Sequence, residues 1–316
     1  EVAGCSFPNA AQKSRTQFQS LDEFCFLDNK RIAIYLKWRV TPDEQPVWDV
    51  HHHWVNERGY IDRLLREMDR LGIERAGLIA MADLVPELFI LHGPVTGAVD
   101  NQDLGRLVRE HPDRFWGWGF LRLGRCVPED VDRLRELGMA GLKFHVPAKP
   151  YSHEEYFPIF EKASAHRLPC LFHTGIFYPP TPLPGQGIRS ENYRPIHLEP
   201  ISHEFPELPL IAAHLGVCWN EEAAALCRIC PNIYVDLSGR VDGWRSGKTS
   251  DWFKQTFYWP TAHQKILFGS DVHSDEVGET LLDYRRIMAG LGWTPEQAGD
   301  VFRENARRIL APTLYS

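Results

Sequence analysis

Short apolar runs alternate with amphipathic segments along the chain from residue 47 onward. The apolar runs are rich in β-branched and aromatic residues, which is typical of buried strands. They predict eight strands, over residues 47–54, 75–81, 115–123, 141–146, 169–175, 209–216, 232–239 and 265–273. The segments between them have helical periodicity. They predict helices over residues 60–71, 102–111, 128–137, 156–166, 194–205, 221–230, 251–258, 277–291 and 294–310.

Eight strands that alternate with helices have the count and size of a (β/α)8 barrel. The rival is an open doubly wound sheet, which usually has fewer strands and a glycine-rich turn after the first strand. No G-x-G-x-x-G pattern follows residues 47–54. We therefore predict an α/β protein in which residues 47–316 form a TIM barrel.

The first 46 residues do not follow this alternation and are predicted to form an N-terminal extension. Two apolar, strand-like runs at residues 24–27 and 31–38 flank the turn-forming sequence Asp28-Asn29-Lys30, which indicates a β-hairpin. Apolar strands outside the barrel need to be covered. We expect the hairpin to pack on the barrel or on a second subunit, and a homodimer is favoured over a monomer.

The composition is that of an ordinary globular protein, with 43% hydrophobic residues. The 35 Lys and Arg residues against 42 Asp and Glu residues give a net charge of −7. This acidic balance disfavours nucleic acid and anionic membranes as partners, and leaves a small-molecule substrate as the expectation. No apolar run approaches the roughly 20 residues of a membrane-spanning helix. Seven cysteines, an odd number, predict a reducing, cytoplasmic location.

Four of the predicted strands end on His or Asp. The residues in question are Asp49, His51 and His53 on strand one, His173 on strand five, His214 on strand six and Asp271 on strand eight. Active sites of TIM barrels lie at the carboxyl ends of the strands, and alternation places His51 and His53 on the same face. A lone histidine of this kind is ordinarily a hydrogen-bonded core residue. A cluster of imidazoles and a carboxylate instead indicates a divalent metal, with zinc favoured and manganese as the alternative.

The same positions lie in motifs that resemble those of a known family. The motifs are HHH (51–53), GLKFH (141–145), LFHTG (171–175), AHLG (213–216), PNIYVDLS (231–238) and LFGSD (267–271). Over about residues 47–310 the chain resembles the amidohydrolase superfamily, in the amidohydrolase-related branch that includes the aminocarboxymuconate-semialdehyde decarboxylase type. Residues 1–46 lie outside the resemblance.

The resemblance implies that one divalent ion is bound by His51, His53, His173 and Asp271. It implies that His214 is a further ligand or a catalytic acid/base, and that Asp271 can take a proton while it binds the metal. On strand four, Lys143 could be carboxylated and bridge a second metal, pair with a substrate anion, or lie against Asp271; the second metal is the less favoured outcome. His145 is a candidate substrate or metal contact.

The substrate-binding residues are less well marked in the sequence. Arg240, after strand seven, and Arg194, in the long loop after strand five, are well placed to hold a substrate carboxylate. Trp54 and Tyr178 follow metal-ligand strands and are expected to form an apolar wall. Hydrolysis of an amide, ester or lactone carbonyl is favoured. Non-oxidative decarboxylation is the alternative, and a non-catalytic binding barrel is disfavoured by the complete His and Asp set.

Overall fold

The computed structural model of the chain describes residues 46–81, 99–177 and 185–315. The predicted N-terminal hairpin and Tyr178 lie outside these ranges. The hairpin, the homodimer and the division of the chain at residue 46 therefore stay predictions.

Eight parallel strands follow one another in a single sheet, in the same order as in the chain. They are β1 (Val47–His53), β2 (Ile73–Ile79), β3 (Phe115–Leu121), β4 (Met139–Phe144), β5 (Cys170–Phe172), β6 (Leu210–Ala212), β7 (Ile233–Asp236) and β8 (Ile266–Leu267). Backbone hydrogen bonds from Val50 N to Phe268 O (2.9 Å) and from Asp271 N to His51 O (2.6 Å) join the segment after β8 to β1. The prediction of a TIM barrel is confirmed.

Helices separate the strands and differ from the predicted ones mainly by a few residues at their ends. They are α1 (Tyr60–Leu71), α2 (Asn101–Glu110), α3 (Pro128–Glu136), α4 (Phe157–Ala165), α5 (Leu198–Glu204), α6 (Asn220–Ile229), α7 (Ser250–Thr256), α8 (Val277–Leu291), α9 (Pro295–Gly299) and α10 (Asn305–Leu314). A π-helical turn over Asp300–Glu304 interrupts the predicted helix 294–310. Among the residues described, no helix has both the length and the apolar character that crossing a membrane requires.

The interior of the barrel is filled by indole rings below the polar end. Trp116 and Trp118 of β3 point inward beside Trp48 of β1, and all three are buried. Trp118 Nε1 donates to Val50 O at 2.8 Å. Gly141 of β4 makes room for this ring, since a Cβ there would come within 2.3 Å of Trp118. These rings belong to the buried apolar core, and the polar cluster lies at the carboxyl end of the barrel.

The later strands are shorter than predicted, and the shortening affects the candidate site. Strand eight was expected over residues 265–273, yet β8 ends at Leu267. Asp271 and His214 have left-handed backbone conformations, with φ of 48° and 58°. A non-glycine residue in this region costs about 1–3 kcal/mol and persists where the surroundings enforce it, often at functional sites. These left-handed residues lie a few positions after the strands, His214 two positions after β6 and Asp271 four positions after β8.

Candidate metal centre

His51, His53 and Asp271 form a compact group of donor atoms at the carboxyl end of the barrel. Asp271 Oδ1 lies 3.2 Å from His53 Nε2 and 3.6 Å from His51 Nε2. All three donor atoms lie within 4.8 Å of one another. His51 is buried, whereas the side chains of His53 and Asp271 are 31% and 25% exposed. The group is thus open to solvent on one side, as a catalytic metal site needs to be.

The orientation of His51 is set by Asp236, a residue that the sequence prediction missed. His51 Nδ1 donates to Asp236 Oδ2 at 2.9 Å, which directs Nε2 toward Asp271 and leaves a lone pair on it. Asp236 Oδ1 accepts hydrogen bonds from His214 N (2.7 Å) and Ser238 N (3.0 Å). Burial alone would raise the pKa of Asp236, but His51, His214 and Ser238 hold it below the usual range. The sequence does contain a signal for this residue, because Asp236 ends the apolar run of strand seven.

A second group of donor atoms joins His51, His214 and Asp236. Here, however, both oxygens of the Asp236 carboxylate already accept hydrogen bonds from the protein. His51 contributes Nδ1, which carries the proton of one of these bonds. This group therefore supports the imidazoles, and the group that contains Asp271 is the better metal site.

His214 lies between Asp271 and the buried hydroxyl of Ser238. Its Nδ1 is 3.7 Å from Asp271 Oδ2 and 2.8 Å from Ser238 Oγ, and Ser238 Oγ in turn donates to Asp236. Burial lowers the pKa of His214 to about 4, against the attraction of Asp271 and Asp236. The imidazole is therefore neutral at neutral pH and can accept a proton.

His173 and His145 stack on each other beside this group. Their ring centroids are 3.9 Å apart with an interplanar angle of 10°. His173 Nδ1 lies 3.2 Å from His214 Nε2, and His173 is not part of the compact group around Asp271. Burial lowers the pKa of both stacked imidazoles well below the usual value. The predicted role of His173 as a ligand and the role of His145 stay predictions.

Lys143 is fully buried and reaches the same nitrogen that faces the metal site. Its Nζ lies 2.9 Å from His51 Nε2. Burial lowers the pKa of Lys143 to about 8, although Asp271 and Asp236 oppose the change. The sequence-based alternatives for this lysine stay predictions; the structure places its ammonium group next to the imidazole of His51.

Close backbone packing and an aspartate hold together the two segments that carry His51 and Asp271. Asp49 Oδ1 accepts hydrogen bonds from His51 N (3.1 Å) and Ser270 N (2.9 Å), so it joins β1 to the loop of Asp271. Between these segments lies Gly269, where a Cβ would come within 2.8 Å of His51 Cβ and 3.3 Å of Asp236 Cβ. No side chain fits there without moving the site.

The arginines that the sequence suggested as substrate contacts are already paired with carboxylates. Arg240 is 58% exposed and forms ion pairs with Asp242 and Glu276. Arg194 pairs with Glu191 and Glu222. Trp54 is half-buried directly after β1. The structure does not bring Arg240 or Arg194 into contact with the donor group. Arg122, which the sequence prediction missed, is a buried cation directly after β3.

The donor set fits a divalent metal ion. Two imidazole Nε2 atoms and one carboxylate oxygen converge, and the hydrogen bond to Asp236 leaves the lone pair of His51 Nε2 on the side of the group. Nitrogen and carboxylate ligands of this kind suit zinc and manganese. The arrangement can therefore hold one metal ion beside an imidazole that is able to move protons.

Comparisons with known proteins identify the family of the chain and agree with its fold. The family model described as amidohydrolase matches residues 48–311. No curated protein matches the chain in sequence. Among solved structures, an uncharacterised TIM-barrel protein from Bordetella bronchiseptica has 16% identity and a TM-score of 0.62, over 85% of this chain and 99% of that chain.

Two further structures are decarboxylases. The 5-carboxyvanillate decarboxylase from Sphingomonas paucimobilis has 14% identity and a TM-score of 0.55, over 84% of this chain and 99% of that chain. A mutant of the enzyme from Novosphingobium aromaticivorans, with bound manganese and 3-methoxy-4-hydroxy-5-nitrobenzoic acid, has 14% identity and a TM-score of 0.55, over 86% and 99%. At such identities the likeness shows a shared fold.

Proposed function

Because the chain belongs to the amidohydrolase family of metal-dependent enzymes, we propose that it hydrolyses an amide, ester or lactone carbonyl of a small molecule. One divalent ion, zinc by preference and manganese as the alternative, held by His51, His53 and Asp271, would supply Lewis acidity toward water and the carbonyl oxygen. His173 is retained as a proposed further ligand. The remaining chemistry is the transfer of protons, and it falls to side chains of the chain itself.

The proposal is carried by one observation, which is that the two carboxylate oxygens of Asp271 face different histidines. Oδ1 faces His53 at 3.2 Å and His51 at 3.6 Å, while Oδ2 faces His214 Nδ1 at 3.7 Å. One oxygen can thus bind metal while the other takes a proton from the attacking water. A proton on Oδ2 lies beside His214, and catalytic hydrogen bonds are often this long before substrate binds.

The hydroxyl of Ser238 holds the His214 ring in place for this proton transfer. Ser238 Oγ contacts His214 Nδ1 at 2.8 Å and donates to Asp236. The ring is therefore fixed next to Asp271. Because the Ser238 hydroxyl gives its proton to Asp236, Nδ1 of the neutral His214 ring carries the ring's proton and donates to Ser238 Oγ, while Nε2 is left as the acceptor. Burial lowers the pKa of His214 to about 4, so the ring stays neutral and can give the Nδ1 proton to the leaving group.

Decarboxylation is the second candidate, and the likeness to the two 5-carboxyvanillate decarboxylases supports it. In this reaction the bond between the substrate carbon and its carboxylate breaks, carbon dioxide leaves, and a proton from the Asp271–His214 pair takes its place. Asp271 and His214 would again transfer the proton, but they would only donate it to the substrate.

An isotope experiment separates the two reactions. The protein is purified without chelator, its metal content is measured, and it is incubated with dihydrocoumarin or with 5-carboxyvanillate in labelled water. Hydrolysis incorporates ¹⁸O from the solvent into the product carboxylate. Decarboxylation releases carbon dioxide and places solvent deuterium on the ring.

Two histidine variants provide the matched comparison. H53N removes a proposed ligand, whereas H203N changes an exposed histidine of α5. We expect H53N to lose metal and turnover together and H203N to keep both. An active, metal-free wild-type protein contradicts both reactions. Release of carbon dioxide without lactone hydrolysis overturns the hydrolase assignment in favour of the second candidate.

A further inference from the structure

Arg122 is a buried cation whose hydrogen-bonding groups are incompletely used. It directly follows β3, at the same barrel end as the metal-binding group, and is 7% exposed. Its Nη2 donates to Gln186 Oε1, but its Nη1 is buried and has no hydrogen-bond partner among the described residues. Burial of a donor without an acceptor costs about 1–3 kcal/mol, and more for a charged group. A buried, charged donor without an acceptor therefore needs an explanation.

A second guanidinium approaches the same acceptor. Arg125 Nη2 donates to Gln186 Oε1 at 3.1 Å. Among residues 46–81, 99–177 and 185–315, neither Arg122 nor Arg125 forms an ion pair with a carboxylate. Two positive charges therefore share one neutral amide oxygen. No carboxylate within these ranges balances the two charges.

Arg245 shows how this protein compensates a buried arginine elsewhere. Its guanidinium is fully buried, and Nε pairs with Asp283 Oδ2 at 2.8 Å. Its Nη1 and Nη2 donate to the backbone carbonyls of Leu237 and Gly239. Charge and donors are both satisfied, as expected for a structural arginine. Among the residues that the structure describes, Arg122 has neither a carboxylate partner nor a full set of acceptors.

Tyr193 connects Arg122 to the candidate metal centre. The tyrosine is fully buried, and its hydroxyl lies near the Val146 backbone without a partner in hydrogen-bond geometry. Its ring stands edge-on to His145 and His173, with centroid distances of 5.5 and 5.7 Å. Burial raises the pKa of Tyr193, and the charge of Arg122 opposes this rise. Two donors without a hydrogen-bond partner among the described residues, Arg122 Nη1 and the Tyr193 hydroxyl, thus belong to side chains that interact electrostatically, and Tyr193 packs against the stacked imidazoles.

We propose that Arg122 and Tyr193, with Arg125 alongside, bind a carboxylate of the substrate, so that the enzyme acts on small carboxylated molecules. Arg122 Nη1 and the Tyr193 hydroxyl offer two donors, which matches the two oxygens of a carboxylate. The guanidinium keeps its charge at any physiological pH, and Arg125 adds to the attraction from a more exposed position. This inference rests on the proposed function, because it takes the bound molecule to be the substrate of the metal centre.

Binding of benzoate tests the proposed site without knowledge of the substrate. Thermal unfolding and calorimetric titration are measured for the metal-loaded protein with sodium benzoate, with neutral benzamide and with inorganic phosphate. The variants are R122M, Y193F and, as the matched control, R106M, which removes an exposed arginine of α2 that pairs with Asp103. We expect benzoate to stabilise the wild type and R106M, and benzamide to have no effect. We expect R122M to weaken benzoate binding about 10- to 100-fold, as the loss of a charge-assisted hydrogen bond predicts.

The stability of the ligand-free variants tells a binding role from a structural one. Methionine fills much of the arginine volume and removes an unpaired buried charge, so R122M should unfold at a higher temperature than the wild type. A structural role predicts the reverse, with the response to benzoate unchanged. Equal benzoate binding by R122M and wild type overturns the proposal. Phosphate binding in place of benzoate overturns the assignment to a carboxylate.

The proposed function and this inference can fail separately. Benzoate binding is therefore repeated after removal of metal, and metal content is measured for R122M. Benzoate binding that depends on Arg122 in a protein without metal-dependent turnover contradicts the proposed function and supports the anion site. Metal-dependent turnover together with unchanged benzoate binding in R122M supports the proposed function and contradicts the anion site.

Discussion

The ammonium group of Lys143 lies 2.9 Å from His51 Nε2, the nitrogen that faces Asp271 and His53. A lysine Nζ can only donate here, and His51 Nδ1 donates its own proton to Asp236, so Nε2 must be the acceptor. The lone pair that a metal needs is the one that Lys143 contacts. Lysine and metal ion therefore compete for it.

Replacement of Lys143 by methionine should strengthen metal binding and leave about one ion per chain. The substitution removes a competing donor and a positive charge next to the site, so the dissociation constant should fall several-fold. Elemental analysis gives the stoichiometry, and competition with a chelator gives the affinity. A wild-type protein with two ions per chain, of which K143M loses one, would instead support a carboxylated Lys143 that bridges two metals.

Replacement of His214 by asparagine should lower turnover by about 10²–10⁴-fold, the usual contribution of a general acid or base. Metal content should survive, because His214 faces Asp271 Oδ2 and lies outside the group around Oδ1. One limb of the pH–rate profile should change as well. Parallel loss of metal and activity would show that His214 is a ligand.

The metal-free protein should lose stability as the pH falls from about 6.5 to about 4. In this window His214 takes up a proton in the unfolded chain, where its pKa is about 6.5, but not in the folded chain, where its pKa is about 4. The unfolded state therefore binds more protons, and the free energy of unfolding falls with the pH. For His214 alone the loss is on the order of 3 kcal/mol.

Urea unfolding in the presence of chelator at several pH values measures this effect. H214N should show a shallower dependence of the unfolding midpoint on pH, because asparagine does not titrate. A wild-type midpoint that stays constant across this window would contradict the burial of a neutral His214. Added metal should steepen the dependence, since bound imidazoles must be deprotonated.

Replacement of Gly269 by alanine should reduce both stability and metal affinity. The added Cβ would lie 2.8 Å from His51 Cβ, so the strand of His51 must move away from the loop of Asp271. Overpacking of this kind costs about 1–3 kcal/mol. G247A is the matched control, since a Cβ there meets no atom within 4 Å. Unchanged metal affinity in G269A, measured by chelator competition, would show that the ligands tolerate the shift.

The barrel and the location of its polar end could be predicted from the sequence alone. Strand and helix periodicities are local properties of the chain, and they recur eight times. In a parallel barrel every strand ends at the same edge, and the first and last strands are neighbours. Residues near the carboxyl ends of these two strands, such as His51 and Asp271, must therefore lie near each other. The proximity of these two residues follows from topology, without knowledge of a single distance.

Partners across the barrel were decided by the tertiary structure. Asp236 and His51 are 185 positions apart, and barrel closure and strand register determine that their side chains hydrogen-bond. Arg240 has the sequence context of a substrate contact, yet Asp242 and Glu276 neutralise it at the surface. Arg122 has no distinctive motif, and folding buries it with no carboxylate partner in the part of the chain that the structure describes. Whether a charge is paired or free depends on loops that meet only in the folded chain, and no local pattern encodes that meeting.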